Sequence, residues 1–111
     1  MKIEQEVCDG SVILRLDGEL DLASADPFRN AADRALAATG SRRLILNLEG
    51  VTFIDSSGLG AILGRYRRIS QAGGKMGIIG AAPQVLTILE LSGILKIIPL
   101  YDSEGQALKS R

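Results

Sequence analysis

Residues 53 to 60 read Phe53-Ile54-Asp55-Ser56-Ser57-Gly58-Leu59-Gly60, and the chain concentrates its reactive groups there. A carboxylate and two hydroxyls stand in a row between an apolar, strand-like run and the start of a helical stripe. Ser and Asp at such a junction can accept hydrogen bonds from the free N–H groups of the first helical turn, so a helix cap is one use for them. A cap needs one polar side chain, and here there are three. Gly58 and Gly60 keep the first turn bare, which lets a partner backbone or a phosphate approach closely. A helix N-terminus also favours negative charge through its dipole and its N–H groups. A hydroxyl at this place can therefore serve as a cap or as a phosphorylation site.

Enzyme chemistry finds little support in the same segment. The spacing Gly58-x-Gly60-x-x-x-Gly64 has one residue too many for a dinucleotide fingerprint, and no acidic residue follows at the required distance. The Gly-Lys-Ser/Thr of a phosphate-binding loop is missing. A nucleophilic serine needs a base, and the chain has no histidine. That also removes a Ser-His-Asp triad and a histidine-based zinc site. The single cysteine, Cys8, forms no internal disulfide or multi-thiolate metal site and suits the end of a strand in a reducing compartment. No metal site or cofactor is expected.

The 111 residues are enough for one domain, and 46% apolar with 23% charged is ordinary for a globular protein. Thirteen basic residues balance thirteen acidic ones, so no overall charge draws the chain to nucleic acid. Aromatics at 4% offer no base-stacking platform. No apolar run approaches the ~20 residues that span a bilayer. The acidic, alternating start lacks the basic and apolar regions of a signal peptide. A cytoplasmic location without direct membrane contact is expected.

These groups need elements to position them. Ile3 to Val7 alternates as a strand, Asp9-Gly10 is a tight turn, and Val12, Leu14 and Leu16 share one face of a second strand. Residues 17 to 21, Asp-Gly-Glu-Leu-Asp, are expected to form a loop. Ser24 or Asp26 is expected to cap a helix with Pro27 in its first turn. Phe28, Ala31, Ala32, Ala35 and Leu36 make its apolar stripe, and Gly40 stops it. Leu44 to Leu48 suits a strand buried on both faces. Glu49-Gly50 interrupts it before Val51 to Ile54. The next helix shows Leu59, Ile62, Leu63, Tyr66 and Ile69 to the core, and Arg65, Arg67 and Arg68 to solvent. A strand at 76 to 79, a helix opened by Pro83 and ended by Ser92-Gly93, a last strand within 95 to 101 and a helical turn from 103 to 108 complete the chain. Alternating strands and helices predict an α/β layer with a mixed sheet.

Four stretches carry a family resemblance: Leu16-Asp17-Gly18-Glu19-Leu20-Asp21, Leu44-Ile45-Leu46-Asn47-Leu48, Phe53 to Gly60 with its continuation Ile62-Leu63-Gly64-Arg65-Tyr66, and Leu91-Ser92-Gly93-Ile94-Leu95-Lys96-Ile97-Ile98. In order and in kind they resemble the STAS domain family, within it the single-domain bacterial anti-sigma factor antagonists. The resemblance implies one STAS domain over residues 1–111, with a core of about 3–109, a mixed β-sheet flanked by α-helices and no catalysis. It implies phosphorylation at Ser56, the first serine, by a cognate anti-sigma factor serine kinase, and reversal by a PPM-type, metal-dependent serine phosphatase. The unphosphorylated form would bind the anti-sigma factor and free the sigma factor. Asp21 and Asp55 match acidic positions beside that serine. Asp21, Asp55, Ser56, Ser57, Gly58, Leu59 and Gly60 are the implied partner surface. The alternative is a STAS module of a stress-sensing or lipid-transport complex. Ser56 is preferred over Ser57, whose hydroxyl is expected to satisfy local backbone groups. The segment 18 to 21 is expected next to Ser56, since both follow strands that can share one sheet and one direction.

Overall fold

A computed structural model describes residues 1–110. The Asp9-Gly10 turn, with both residues at positive φ (50° and 76°), folds β1 (Lys2–Cys8) antiparallel onto β2 (Ser11–Leu20). Then α1 (Leu22–Thr39) crosses to β3 (Arg43–Ile54), and α2 (Ser56–Gln71) crosses to β4 (Lys75–Ile79). After α3 (Pro83–Leu91) a short 3₁₀ turn (Ile94–Lys96) leads to β5 (Leu100–Tyr101), and α4 (Glu104–Lys109) closes the described chain. The five strands lie in sequence order, with β2 to β5 mutually parallel.

The two faces of the sheet are covered unequally. Val12, Leu14 and Leu16 of β2 and Leu44, Leu46 and Leu48 of β3 meet α1, α2 and α3 through Phe28, Ala32, Ile62 and Leu89, all buried. The opposite face buries Ile13, Ile45 and Ile79 beneath Ala107 of α4. This explains the unbroken apolar run of β3, whose neighbouring residues serve two cores. Charge holds α4 in place. Arg15 grips Glu104 with Nε and Nη2, both at 2.7 Å, and reaches Glu4 and Glu6 at 2.8 Å. Asn47 Nδ2 donates to Glu104 at 2.8 Å. Arg43 donates to the carbonyls of Ala107 and Ser110.

Three expectations are corrected. Residues 17 to 20 are strand, the upper end of β2, and only Asp21 lies outside it. Glu49-Gly50 does not break β3. Pairing shifts there from Arg15–Asn47 to Asp17–Gly50, so β3 accommodates a bulge and continues. Arg65 does not face solvent: it is 8% exposed. Its Nη1 donates to Asp33 of α1 at 2.6 Å, and its aliphatic stem lies on the buried stripe of α2.

Candidate functional site

The cap of α1 is Asp21, where Ser24 or Asp26 was expected. Its Oδ1 accepts from Ser24 N at 3.1 Å, and Ser24 Oγ accepts from Asp21 N at 2.9 Å, a reciprocal capping box. Ser24 Oγ also donates to the Glu19 carbonyl at 2.7 Å, pinning the helix start to the end of β2. Pro27 lies inside the helix, beyond its first turn. The spacing Asp21-x-x-Ser24 was the available signal for this cap.

The cap of α2 is Asp55, whose Oδ1 accepts from Gly58 N at 3.0 Å. One carboxylate thus fulfils the capping need of the Asp-Ser-Ser-Gly stretch. Ser56 is the first helical residue and is exposed; Ser57 is half-buried. Neither hydroxyl makes a hydrogen bond among the described residues, so Ser57 does not satisfy the backbone as expected. Gly58 is buried because β2 passes directly beneath it. A Cβ there would run into the Leu20 carbonyl and stand 2.9 Å from Leu20 Cγ and 3.0 Å from Ile54 Cγ1. Leu59 packs against the main core, and Gly60 is exposed.

Parallel pairing brings the two helix starts together. Leu20 is opposite Ile54, and Asp55 N donates to the Leu20 carbonyl at 3.3 Å. Asp21 and Ser56 therefore open on the same edge of the sheet, as expected from the strand order. The edge is acidic, with Glu19, Asp21 and Asp55 near one another, and neither helix has a basic residue in its cap. A cleft of about 340 Å³ lined by Met1, Glu19, Asp21, Ser24 and Pro27 opens beside it. The sequence reading missed two exposed apolar residues here, Leu22 at 77% and Phe53 at 47%. Leu22 lies off the Phe28 stripe, which was the signal for it. Among the described residues no group of three or more His, Cys, Asp or Glu side chains could hold a metal. No helix among them is long and apolar enough to cross a membrane.

A mixed α/β sheet that ends in two capped helix starts and one exposed serine defines a small domain whose distinctive surface is an accessible helix N-terminus. Residues 2–107 match the STAS domain model, and the chain belongs to the STAS domain family. It is 44% identical over 108 residues to an anti-sigma F factor antagonist of Paenibacillus polymyxa, covering 97% of this chain and 92% of the relative. The structure of the anti-sigma factor antagonist SpoIIAA in its unphosphorylated form superposes with a TM-score of 0.83 at 28% identity, over 97% of this chain and 94% of that one. The phosphorylated form of SpoIIAA, described as a Bacillus cell fate determinant, superposes at 0.75 and 28%, over 97% of each chain.

Proposed function

We propose that this chain is an anti-sigma factor antagonist and that phosphorylation of Ser56 is its switch. In the unphosphorylated state it binds a cognate anti-sigma factor and releases the sigma factor. That anti-sigma factor is also the ATP-dependent serine kinase, and a PPM-type serine phosphatase removes the mark. The chain works as a binding protein in the cytoplasm, not as an enzyme. Asp21, Asp55, Ser57, Gly58, Leu59 and Gly60 surround Ser56 on the partner surface.

One observation carries this reading: Ser56 is exposed and free of structural duty because Asp55 is the cap. A phosphate there adds roughly −1.5 to −2 charges beside an edge that is already acidic. The N–H groups and dipole of α2 partly offset that charge within the chain. A partner shaped around a neutral serine meets it as repulsion and desolvation. Binding is lost without refolding the domain.

Two substitutions test the switch. Ser56→Ala keeps its affinity for the anti-sigma factor even with ATP present. Ser56→Asp, which carries a smaller charge than a phosphate, weakens binding by about tenfold or more. Both melt within about 0.5 kcal/mol of the parent, as expected of an exposed residue without a bond to lose. Calorimetric titration beside thermal melts measures both quantities. Equal affinities in two folded variants would remove charge at Ser56 as the switch. Phosphosite mapping that found Ser57 alone would remove the residue assignment.

A further inference from the structure

Two exposed leucines stand at opposite edges of the sheet. Leu91 ends α3 and is 83% exposed, and Leu22 begins α1 and is 77% exposed. Neither packs into a core. A single exposed leucine is ordinary on a protein surface. The surroundings of Leu22 are not ordinary.

Leu22 repeats the position of Ser56. Leu20 pairs with Ile54 in the β2–β3 ladder, Asp21 and Asp55 follow as the two caps, and Leu22 and Ser56 are the first residues of α1 and α2. The two β-to-α junctions thus set Leu22 and Ser56 at equivalent places on one edge. A helix N-terminus favours acidic side chains through its dipole, yet the first turn of α1 holds none. A leucine at this place draws nothing from the dipole and nothing from the core.

The charge beside it is unanswered. Glu19, Asp21 and Asp55 form no ion pair among the described residues. Phe53, opposite Glu19 in the ladder, is 47% exposed and adds apolar area to the same edge. Apolar area framed by polar groups is how docking surfaces are built: the centre excludes water and the rim carries the polar contacts. Carboxylates without partners of their own select basic groups on the other side.

We propose that Leu22 is the apolar anchor by which this edge binds the anti-sigma factor. The partner seats the leucine in an apolar pocket and sets basic groups against Glu19, Asp21 and Asp55. This rests on the antagonist reading and extends it to a residue that the switch does not use. Two neighbouring helix starts divide the work, with affinity at Leu22 and its control at Ser56.

The test is a calorimetric titration, without ATP, against the anti-sigma F factor of Paenibacillus polymyxa, with thermal melts alongside. Leu22→Ser should weaken binding by about ten- to a hundredfold, the scale for burying one leucine side chain. Leu22→Met keeps an apolar side chain of similar volume and should stay within about threefold of the parent. Leu91→Ser changes an equally exposed leucine at the other edge and should stay within about twofold. All three variants should melt within about 3 °C of the parent. Leu22→Ser within about twofold of the parent overturns the proposal while leaving the antagonist reading intact. So does a loss in Leu91→Ser or in Leu22→Met equal to that in Leu22→Ser. A parent chain that does not bind overturns the antagonist reading and the anchor together.

Discussion

At their N-termini α1 and α2 are finished by local chemistry. Asp21 and Asp55 each fold back onto the helix they begin, and Ser56 is left exposed between strand and helix. At their C-terminal halves the same two helices are held by a bond from one to the other, Arg65 to Asp33, with the guanidinium nearly buried. Local satisfaction leaves a side chain to spare, and a spare side chain can be modified without disturbing the fold. At the cross-linked end each polar group helps position a second helix, so a change there reaches both.

Gly58→Ala should have the largest effect and would break the N-terminal end. The new methyl meets the Leu20 carbonyl backbone, which cannot swing aside, and we expect a loss of about 3 kcal/mol. A chemical denaturation curve within about 0.5 kcal/mol of the parent would show that β2 and α2 separate easily, against the close approach described.

Arg65→Met breaks the other end. Asp33 loses its 2.6 Å partner but keeps Arg68 at 3.1 Å and is itself 34% exposed. The cost is therefore reduced from that of a fully buried pair to about 1–2 kcal/mol. Partner affinity at the Ser56 end should be unchanged. Titration beside denaturation separates the two effects, and a large affinity loss would show that the ends are coupled.

The two caps sharpen the comparison. Asp21→Ala removes the acceptor of a reciprocal box and should cost about 1–1.5 kcal/mol, whereas Asp55→Ala removes a single bond and should cost about 0.5–1 kcal/mol. The reverse order, read from thermal melts, would mean that Asp55 does more than cap.

Glu104→Gln is the smallest change and lies away from both ends. Arg15 above all, and then Asn47, hold the Glu104 carboxyl below its ordinary 4.5. The folded chain keeps this carboxylate ionised where the unfolded chain takes up a proton. The advantage of Glu over Gln, about 0.5–1 kcal/mol, is therefore full above about pH 4.5 and disappears as pH falls through the lowered folded value. Melts of both chains from neutral to acid should converge. Parallel curves would show that the ion pair contributes nothing.

What the sequence disclosed follows the same division between local and tertiary causes. The Asp9-Gly10 turn, the stop at Gly40, the Pro83 start and the Ser103-to-Leu108 turn all depend on neighbours in the chain, and all were legible. Gly18 and Gly50 were taken for breaks because a bulge and a loop use the same residue type. The site segment was legible as a whole, but its division of labour was not. Asp55, Ser56 and Ser57 can all cap, and the choice is made by Gly58 fitting beneath β2, which fixes where the helix begins. Arg65 was misplaced because charge outweighed phase: it stands three residues after buried Ile62 and four before buried Ile69. Its partners, Asp33 and the Arg29 carbonyl, lie a helix away and make that burial tolerable.

The bond from Asp55 N to the Leu20 carbonyl joins residues separated in the chain by all of α1. It sets an order in time. Loop closure around α1 must come first, and non-local parallel pairing is a slow kind of contact to form. Both helices can be partly wound before Asp21 and Ser56 become neighbours. The surface is thus completed only when the upper rungs of the β2–β3 ladder close. The exchange rate of the Asp55 amide proton becomes a clock for that event. A chain in which this proton exchanges freely is helical in part but has not yet assembled the acidic edge around its serine.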